Sequence, residues 1–83
     1  MFKRCAVEVL ENDLVGKWST VCEDLANDIK EAIDKSGLDF TSYEIYSDGN
    51  FFGVWMEDEE GEEAEIIIEV EKAGSTWYIT KVR

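Results

Sequence analysis

The sequence predicts a single α+β domain over residues 1–83, in which one amphipathic helix packs on an antiparallel β-meander of about four to five strands. Apolar residues recur at three- and four-residue steps in the first half of the chain, and apolar and polar residues alternate after Gly37. Turn-forming dipeptides divide the second half into short runs. One face of the predicted sheet must be covered, and the helix is the only large cover available.

The first eleven residues fit two interpretations. Cys5, Val7 and Val9 alternate with other residues as in a strand. Four apolar residues also fit one face of a helix: Phe2, Ala6, Val9 and Leu10. The β-branched Val7 and Val9 and the shortness of the segment favour a strand, and hence a β-α-β-β-β-β order. The alternative is an N-terminal helix, which gives two helices and a four-stranded antiparallel sheet.

The apolar repeat of the first half predicts one amphipathic helix. The repeat runs over residues 14–33 and consists of Leu14, Trp18, Val21, Cys22, Leu25, Ile29 and Ile33. Asn12 or Asp13 can cap its start, or a capping box of Thr20 and Glu23 can begin it later. Gly37 is the expected C-terminal stop.

The second half predicts a meander. Its strand-like runs are residues 40–47, 51–57, 63–71 and 75–82. Asp48 and Gly49 are the dipeptide that a type I′ hairpin requires at its centre, because both positions need a positive φ. Gly53 lies inside the second run and is compatible with ordinary hairpin geometry, a bulge or a close backbone approach. In the last run we expect Trp77 and Ile79 on one side, opposite Tyr78, Thr80 and Val82.

Net charge limits the possible partners. The chain has 20 acidic and 8 basic residues, a net charge of −12, and no histidine. Direct binding to nucleic acid or to an anionic membrane is not expected, because both depend on Lys and Arg. Histidine-based catalysis is excluded, and the glycines match no phosphate-binding motif, so we expect no enzyme and no cofactor. No run of apolar residues is long enough for a membrane helix, and we expect a cytoplasmic location.

The acidic strand is the first candidate for a binding surface. In the third run Ala64, Ile66, Ile68 and Val70 alternate with acidic residues, so that one face is apolar. The other face carries a row of carboxylates interrupted by Ile67: Glu63, Glu65, Glu69 and Glu71. Same-face residues are about 6.6 to 6.8 Å apart, about twice the axial rise per phosphate in DNA. We expect the row, supplemented by the helix carboxylates Glu23, Asp24, Asp28, Glu31 and Asp34, to fit a groove lined with Lys and Arg. The alternative is that the row is the ordinary solvent face of an antiparallel strand.

The hairpin aromatics are the second candidate. Five aromatic residues cannot all point to one face of a two-stranded ribbon: Tyr43, Tyr46, Phe51, Phe52 and Trp55. If Phe52 packs under the helix, then Phe51, Trp55 and Tyr46 face outward, like the aromatic anchors of protein interfaces. The alternative is that the N-terminal segment or a homodimer covers them as a second core.

An acidic loop joins the second and third runs. Asp58, Glu59 and Glu60 precede Gly61 and two further glutamates. Their spacing does not match an EF-hand, so we expect a solvated charge run, available to a cationic partner, and no metal.

In charge and size the chain resembles the small acidic inhibitors that viruses and mobile elements make against restriction, CRISPR or repair enzymes. This resemblance implies a non-catalytic stoichiometric inhibitor, a DNA or RNA mimic that blocks a cationic nucleic-acid-binding site in the host cytoplasm. The alternative is an antitoxin, an immunity-type protein or a small complex subunit, which would bind through the hydrophobic face of the hairpin.

Overall fold

A computed structural model describes residues 2–83 and shows two helices and a five-stranded antiparallel sheet. In chain order the elements are α1 (Phe2–Leu14), β1 (Trp18–Ser19), α2 (Cys22–Lys35), β2 (Ser42–Asp48), β3 (Phe51–Glu57), β4 (Glu63–Ala73) and β5 (Thr76–Val82). The strands lie in the order β1-β5-β4-β3-β2. The predicted α+β fold is confirmed, and the two-helix alternative describes it better than the one-helix version.

The predicted N-terminal strand is wrong, because this segment forms α1. Ala6, Leu10 and Leu14 are completely buried, and their four-residue spacing places them on one face of a helix. A strand would have placed Glu8 and Asn12 on the same face as these three residues, but both are exposed. The β-propensity of Val7 and Val9 is the weaker effect here, since both residues are only half buried.

The single helix predicted from the apolar repeat of residues 14–33 is interrupted. The chain leaves α1 at Leu14 and turns at Gly16, whose φ is +97°. Trp18 then pairs with Tyr78 of β5, and α2 begins only at Cys22. A strand pairing of two residues therefore interrupts the helical repeat, and the Trp18 side chain is 62% exposed although its position matched the apolar stripe.

The ends of α2 differ in how well they match the prediction. The N-cap is Val21, without a side-chain cap, so the predicted capping box does not begin this helix. The hydroxyl of Ser19 accepts a hydrogen bond of 3.1 Å from the backbone N–H of Val21. At the other end Ser36 is the C-cap and Gly37 has a φ of +74°, which confirms the predicted stop.

The β2–β3 turn is shifted by one residue from the prediction. Asp48 lies opposite Phe51, so Gly49 and Asn50 are the two central residues. Gly49 has a φ of +63°, whereas Asn50 has no positive φ. This pattern fits a type II′ turn, which requires glycine only at its first central position.

A β-bulge changes the faces of β5. Val70 pairs with Ile79 and Glu69 with Lys81, which leaves Thr80 as an extra residue. Val82 therefore lies on the same side as Ile79, and both are buried. The expectation that Val82 faces away from Ile79 is wrong for this reason.

Both helices cover one side of the sheet, which we call the inner face. The buried core between them consists of Ala6, Leu10, Leu14, Leu25, Ile29, Ala32, Ile33, Phe52, Val54, Met56, Ile66, Ile68, Val70, Ile79 and Val82. The predicted inward alternation of β3 and β4 is confirmed by these positions. Neither of the helices in residues 2–83 has the length and apolar character needed to cross a membrane.

Adjacent isoleucines of β4 test this division into faces. Ile66 is completely buried and Ile67 is half buried on the opposite side. We expect Ile66→Ala to lower the free energy of unfolding by about 2–5 kcal/mol, because it leaves a cavity under the helices. The matched Ile67→Ala should cost about 1 kcal/mol or less. Urea unfolding measures both, and equal losses would contradict the assignment of faces.

Candidate partner-binding face

The side of the sheet opposite the helices is a candidate binding surface, which we call the outer face. Cross-strand pairing and alternation with buried residues place these side chains on it: Glu44, Tyr46, Phe51, Trp55, Glu63, Glu65, Ile67, Glu69 and Glu71. Gly53 lies among them, opposite Tyr46 on β2 and Ile67 on β4. The carboxylates and the aromatic rings therefore share one surface.

The glutamate row of β4 lies on the outer face as the alternation predicts. Glu63, Glu65 and Glu71 are exposed, and Glu69 is half buried. Ile67 interrupts the row at its centre. Because β4 is a strand of eleven residues within a sheet, its backbone holds these positions in a straight line.

Two aromatic side chains of the outer face lie against carboxylates of the row. The indole Nε1 of Trp55 donates to Oε1 of Glu63 at 2.9 Å. The Tyr46 hydroxyl lies near Glu65. Desolvation of Tyr46, followed by the negative charge of Glu65, raises the Tyr46 pKa above its usual value. Glu63 is thus held by an aromatic donor on the neighbouring strand β3, and the Tyr46 side chain reaches across β3 toward Glu65.

Tyr46 lies across Gly53, so its ring packs on the backbone of β3. A Cβ atom at Gly53 would overlap the end of the Tyr46 ring. This glycine thus marks a close approach, one of the alternatives that the sequence left open. The close approach leaves Tyr46 39% exposed and directs its ring toward the middle of the outer face.

The three predicted aromatic anchors lie together. Phe51 and Trp55 are half buried on β3, and Tyr46 is exposed on β2. The alternative in which the N-terminal segment covers them is wrong, because α1 packs on the inner face against β4 and β5. The rings are therefore available to a partner.

Two cations lie at one end of the row. Nε of Arg83 donates to Oε2 of Glu69 at 2.7 Å, and Lys81 lies opposite Glu69 on β5. Neither contact follows from sequence spacing, because both depend on the β4–β5 register. The more strongly acidic part of the outer face is consequently around Glu63 and Glu65, which Glu44 joins from β2 across Trp55.

The helix carboxylates do not extend this row. The buried residues of α2, such as Ile29 and Ile33, face the sheet from the inner side. Its exposed carboxylates, including Glu23 and Glu31, consequently lie on the opposite side of the molecule from Glu65. The expectation that helix and strand carboxylates form one surface is wrong.

The acidic loop lies at the end of the outer face and turns toward α1. Oδ1 of Asp58 accepts hydrogen bonds from the backbone N–H groups of Glu60, at 3.0 Å, and Glu62, at 2.7 Å. Asp58, Glu59 and Glu60 line a groove with Phe2, near the amino-terminal end of α1. The partial positive charge of that helix end favours carboxylates there. Within residues 2–83 no group of three or more potential ligands could hold a metal ion.

Comparisons with protein-family models, curated proteins and solved structures find no match to this chain. A function must therefore be argued from the chemistry of the outer face.

The raised pKa of Tyr46 predicts a loss of stability in alkaline solution. Its stabilising contribution is present below the ordinary tyrosine pKa of about 10 and is lost as the pH rises through the higher pKa of the folded state. We expect Tyr46→Phe to reduce this loss. Part of it should remain, because burial and then the charge of Asp34 also raise the pKa of Tyr43. Urea unfolding across a pH series measures the effect, and identical alkaline losses in both proteins would contradict it.

Proposed function

We propose that this protein is a non-catalytic, stoichiometric inhibitor whose outer face occupies a cationic nucleic-acid-binding surface of another protein. The observation that carries the proposal is the held position of the carboxylates. Trp55 holds Glu63 by a hydrogen bond, and the Tyr46 side chain lies beside Glu65, on a sheet face that the helices leave open.

Held carboxylates are suited to imitating phosphates. A free surface glutamate loses side-chain entropy when a partner immobilises it, whereas a carboxylate that is already hydrogen-bonded loses less. Glu63 and Glu65 point from one strand at a spacing of about two DNA phosphates. Lys and Arg side chains that normally contact the phosphates of a nucleic-acid backbone can therefore contact Glu63 and Glu65 one after the other along β4.

The whole-molecule charge supports the same partner class. A net charge of −12 creates a field that attracts a basic surface and raises the association rate. The exposed aromatic and apolar side chains supply binding energy that charge alone does not. An inhibitor of a restriction, CRISPR or similar defence enzyme needs both the attractive charge and the apolar binding energy, because it must compete with nucleic acid for the same site.

Charge reversal on the outer face tests the proposal. We expect Glu65→Lys with Glu69→Lys to weaken binding by at least about tenfold, because each change places a cation against a cationic partner. The control is Glu11→Lys with Glu23→Lys, which changes the net charge equally at exposed helix positions. The control should lose much less affinity.

The experiment begins with capture from nuclease-treated bacterial lysate by immobilised wild-type protein and by both variants. A protein that binds the wild type and the control but not the outer-face variant is then purified. Its affinity is measured by fluorescence anisotropy, with duplex DNA and single-stranded RNA as competitors. Equal affinity of the two variants, or a complex that neither nucleic acid competes with, would overturn the proposal.

A second candidate function is supported by the apolar centre of the outer face. Phe51, Ile67 and the exposed ring of Tyr46 surround Gly53, which the Tyr46 ring covers. Such a patch suits an antitoxin, an immunity-type protein or a subunit of a complex. In that case apolar burial would supply most of the affinity, and the carboxylates would form its rim.

Salt separates the two candidates. We expect the affinity for the captured partner to fall steeply between low and high salt, since screening weakens exposed charge pairs. Phe51→Ala should reduce affinity at every salt concentration with little change in the salt dependence. Isothermal titration calorimetry across a salt series measures both effects. Affinity that is nearly independent of salt would favour the second candidate.

A further inference from the structure

The edge strand β2 is open along its outer side. It pairs with β3 and is the last strand in the sheet order. Thr41, just before it, donates to Glu57 of β3, on the same side as that pairing. Within the chain from residue 2 to residue 83, no segment pairs with the other side of Ser42–Asp48.

The hairpin register identifies the backbone groups on this open side. Asp48 and Phe51 flank a two-residue turn and therefore form a hydrogen-bonded pair. Bonds to β3 then recur at alternate positions along β2. The N–H and C=O groups of Tyr43, Ile45 and Ser47 consequently point away from the sheet. Among the described residues, no other element provides a hydrogen-bond partner for these groups.

The sequence of β2 lacks the usual protection of an exposed edge. Natural sheets block such edges with proline, lysine, a bulge or a very short strand. The opposite edge, β1, is only two residues long, whereas β2 has seven residues and contains no proline or lysine. Its pairing with β3 is regular along its whole length. The charged residues of β2 are Glu44 and Asp48, which repel another acidic chain but attract a basic one.

We propose that β2 receives an extended basic segment of a partner protein by β-strand addition. This inference rests on the proposed function for the basic character of the partner. It goes beyond that function because it identifies a second contact, made by the backbone of an edge and separate from the outer face. Such contacts combine main-chain hydrogen bonds with side-chain selection at alternate positions.

The two sides of β2 specify an alternating segment. A residue directly opposite Ile45 shares its side of the sheet and lies next to half-buried Tyr43, so it should be apolar. A residue opposite Glu44 or Tyr46 lies on the outer face beside carboxylates, so it should be basic. The Tyr46 ring packs over Gly53, away from the edge, and does not obstruct the added strand.

Peptides test the edge directly. The probe is a peptide as long as β2 that alternates lysine with valine, with both ends blocked. In antiparallel pairing the valines lie opposite Ile45 and its same-side neighbours, and their N–H groups point at β2. N-methylation of the valines should therefore weaken binding by at least about tenfold, because several hydrogen bonds are lost. N-methylation of the lysines is the matched control, with the same charge and composition, and should leave binding within about threefold.

A protein variant tests the same edge from the other side. Ser47→Pro removes one outward-pointing N–H and leaves the bonds between β2 and β3 intact. Ser47→Ala retains that N–H and is the control. We expect the proline variant alone to bind the peptide about three- to tenfold more weakly. Circular dichroism verifies that both variants fold. If the proline variant does not fold, the comparison of the two N-methylated peptides tests the edge contact by itself.

Amide hydrogen exchange by NMR locates the contact. Without peptide, the amides of Tyr43, Ile45 and Ser47 should exchange rapidly, and peptide should protect these three. Protection before peptide is added, together with a dimer in sedimentation, would assign the edge to a second copy and overturn the inference. Equal binding of the two methylated peptides would also overturn it.

Failure of this inference differs from failure of the proposed function. If the outer-face charge reversals weaken partner binding while Ser47→Pro has no effect on the peptide or partner, the edge inference alone fails. If Ser47→Pro weakens binding but the outer-face variant does not, the edge contact stands and the proposed function fails.

Discussion

Burial of the inner side of β4 is the interaction on which the rest of this structure depends. Ile66 and Ile68 are completely buried beneath the helices, and their neighbours Glu65 and Ile67 point the opposite way. Since strand side chains alternate strictly, packing one side of β4 also determines what the other side displays. A register slip by one residue would bury glutamates and expose isoleucines, so the hydrophobic core and the acidic row enforce the same register.

The same constraint has an electrostatic cost. Aligned carboxylates on one face repel one another, and a net charge of −12 adds a long-range destabilising field. The structure offsets part of this locally. Arg83 binds Glu69, and Trp55 donates a hydrogen bond to Glu63. Trp55 restrains Glu63 without removing its negative charge, which suits the proposed imitation of phosphates, whereas Arg83 neutralises the charge of Glu69.

The sequence predicted most elements that depend on local periodicity. It failed in α1, where helical and strand periodicities overlap, and where pairing over long distances decides the structure. The bounds of β3 and the faces of β4 follow from period-two alternation, and Gly37 ends α2 as expected. The strand β1 could not be predicted, because Trp18 follows the helical apolar repeat and is removed from it only by pairing with Tyr78. In the candidate site, the row and the outward aromatics were predictable. Their hydrogen bonds were not, since these depend on which residues the sheet register makes neighbours.

The outer face and the β2 edge meet at Glu44 and Tyr46. Glu44 contributes charge next to Trp55, while the backbone of the adjacent Ile45 points toward the open edge. A partner that adds a strand to β2 would therefore place its basic side chains beside the acidic–aromatic part of the outer face, without a change in the sheet. Backbone pairing would set the register of that segment, and the carboxylates would select its charge. Two weak contacts joined in this way act as one bivalent surface, in which the first to form raises the effective concentration of the second.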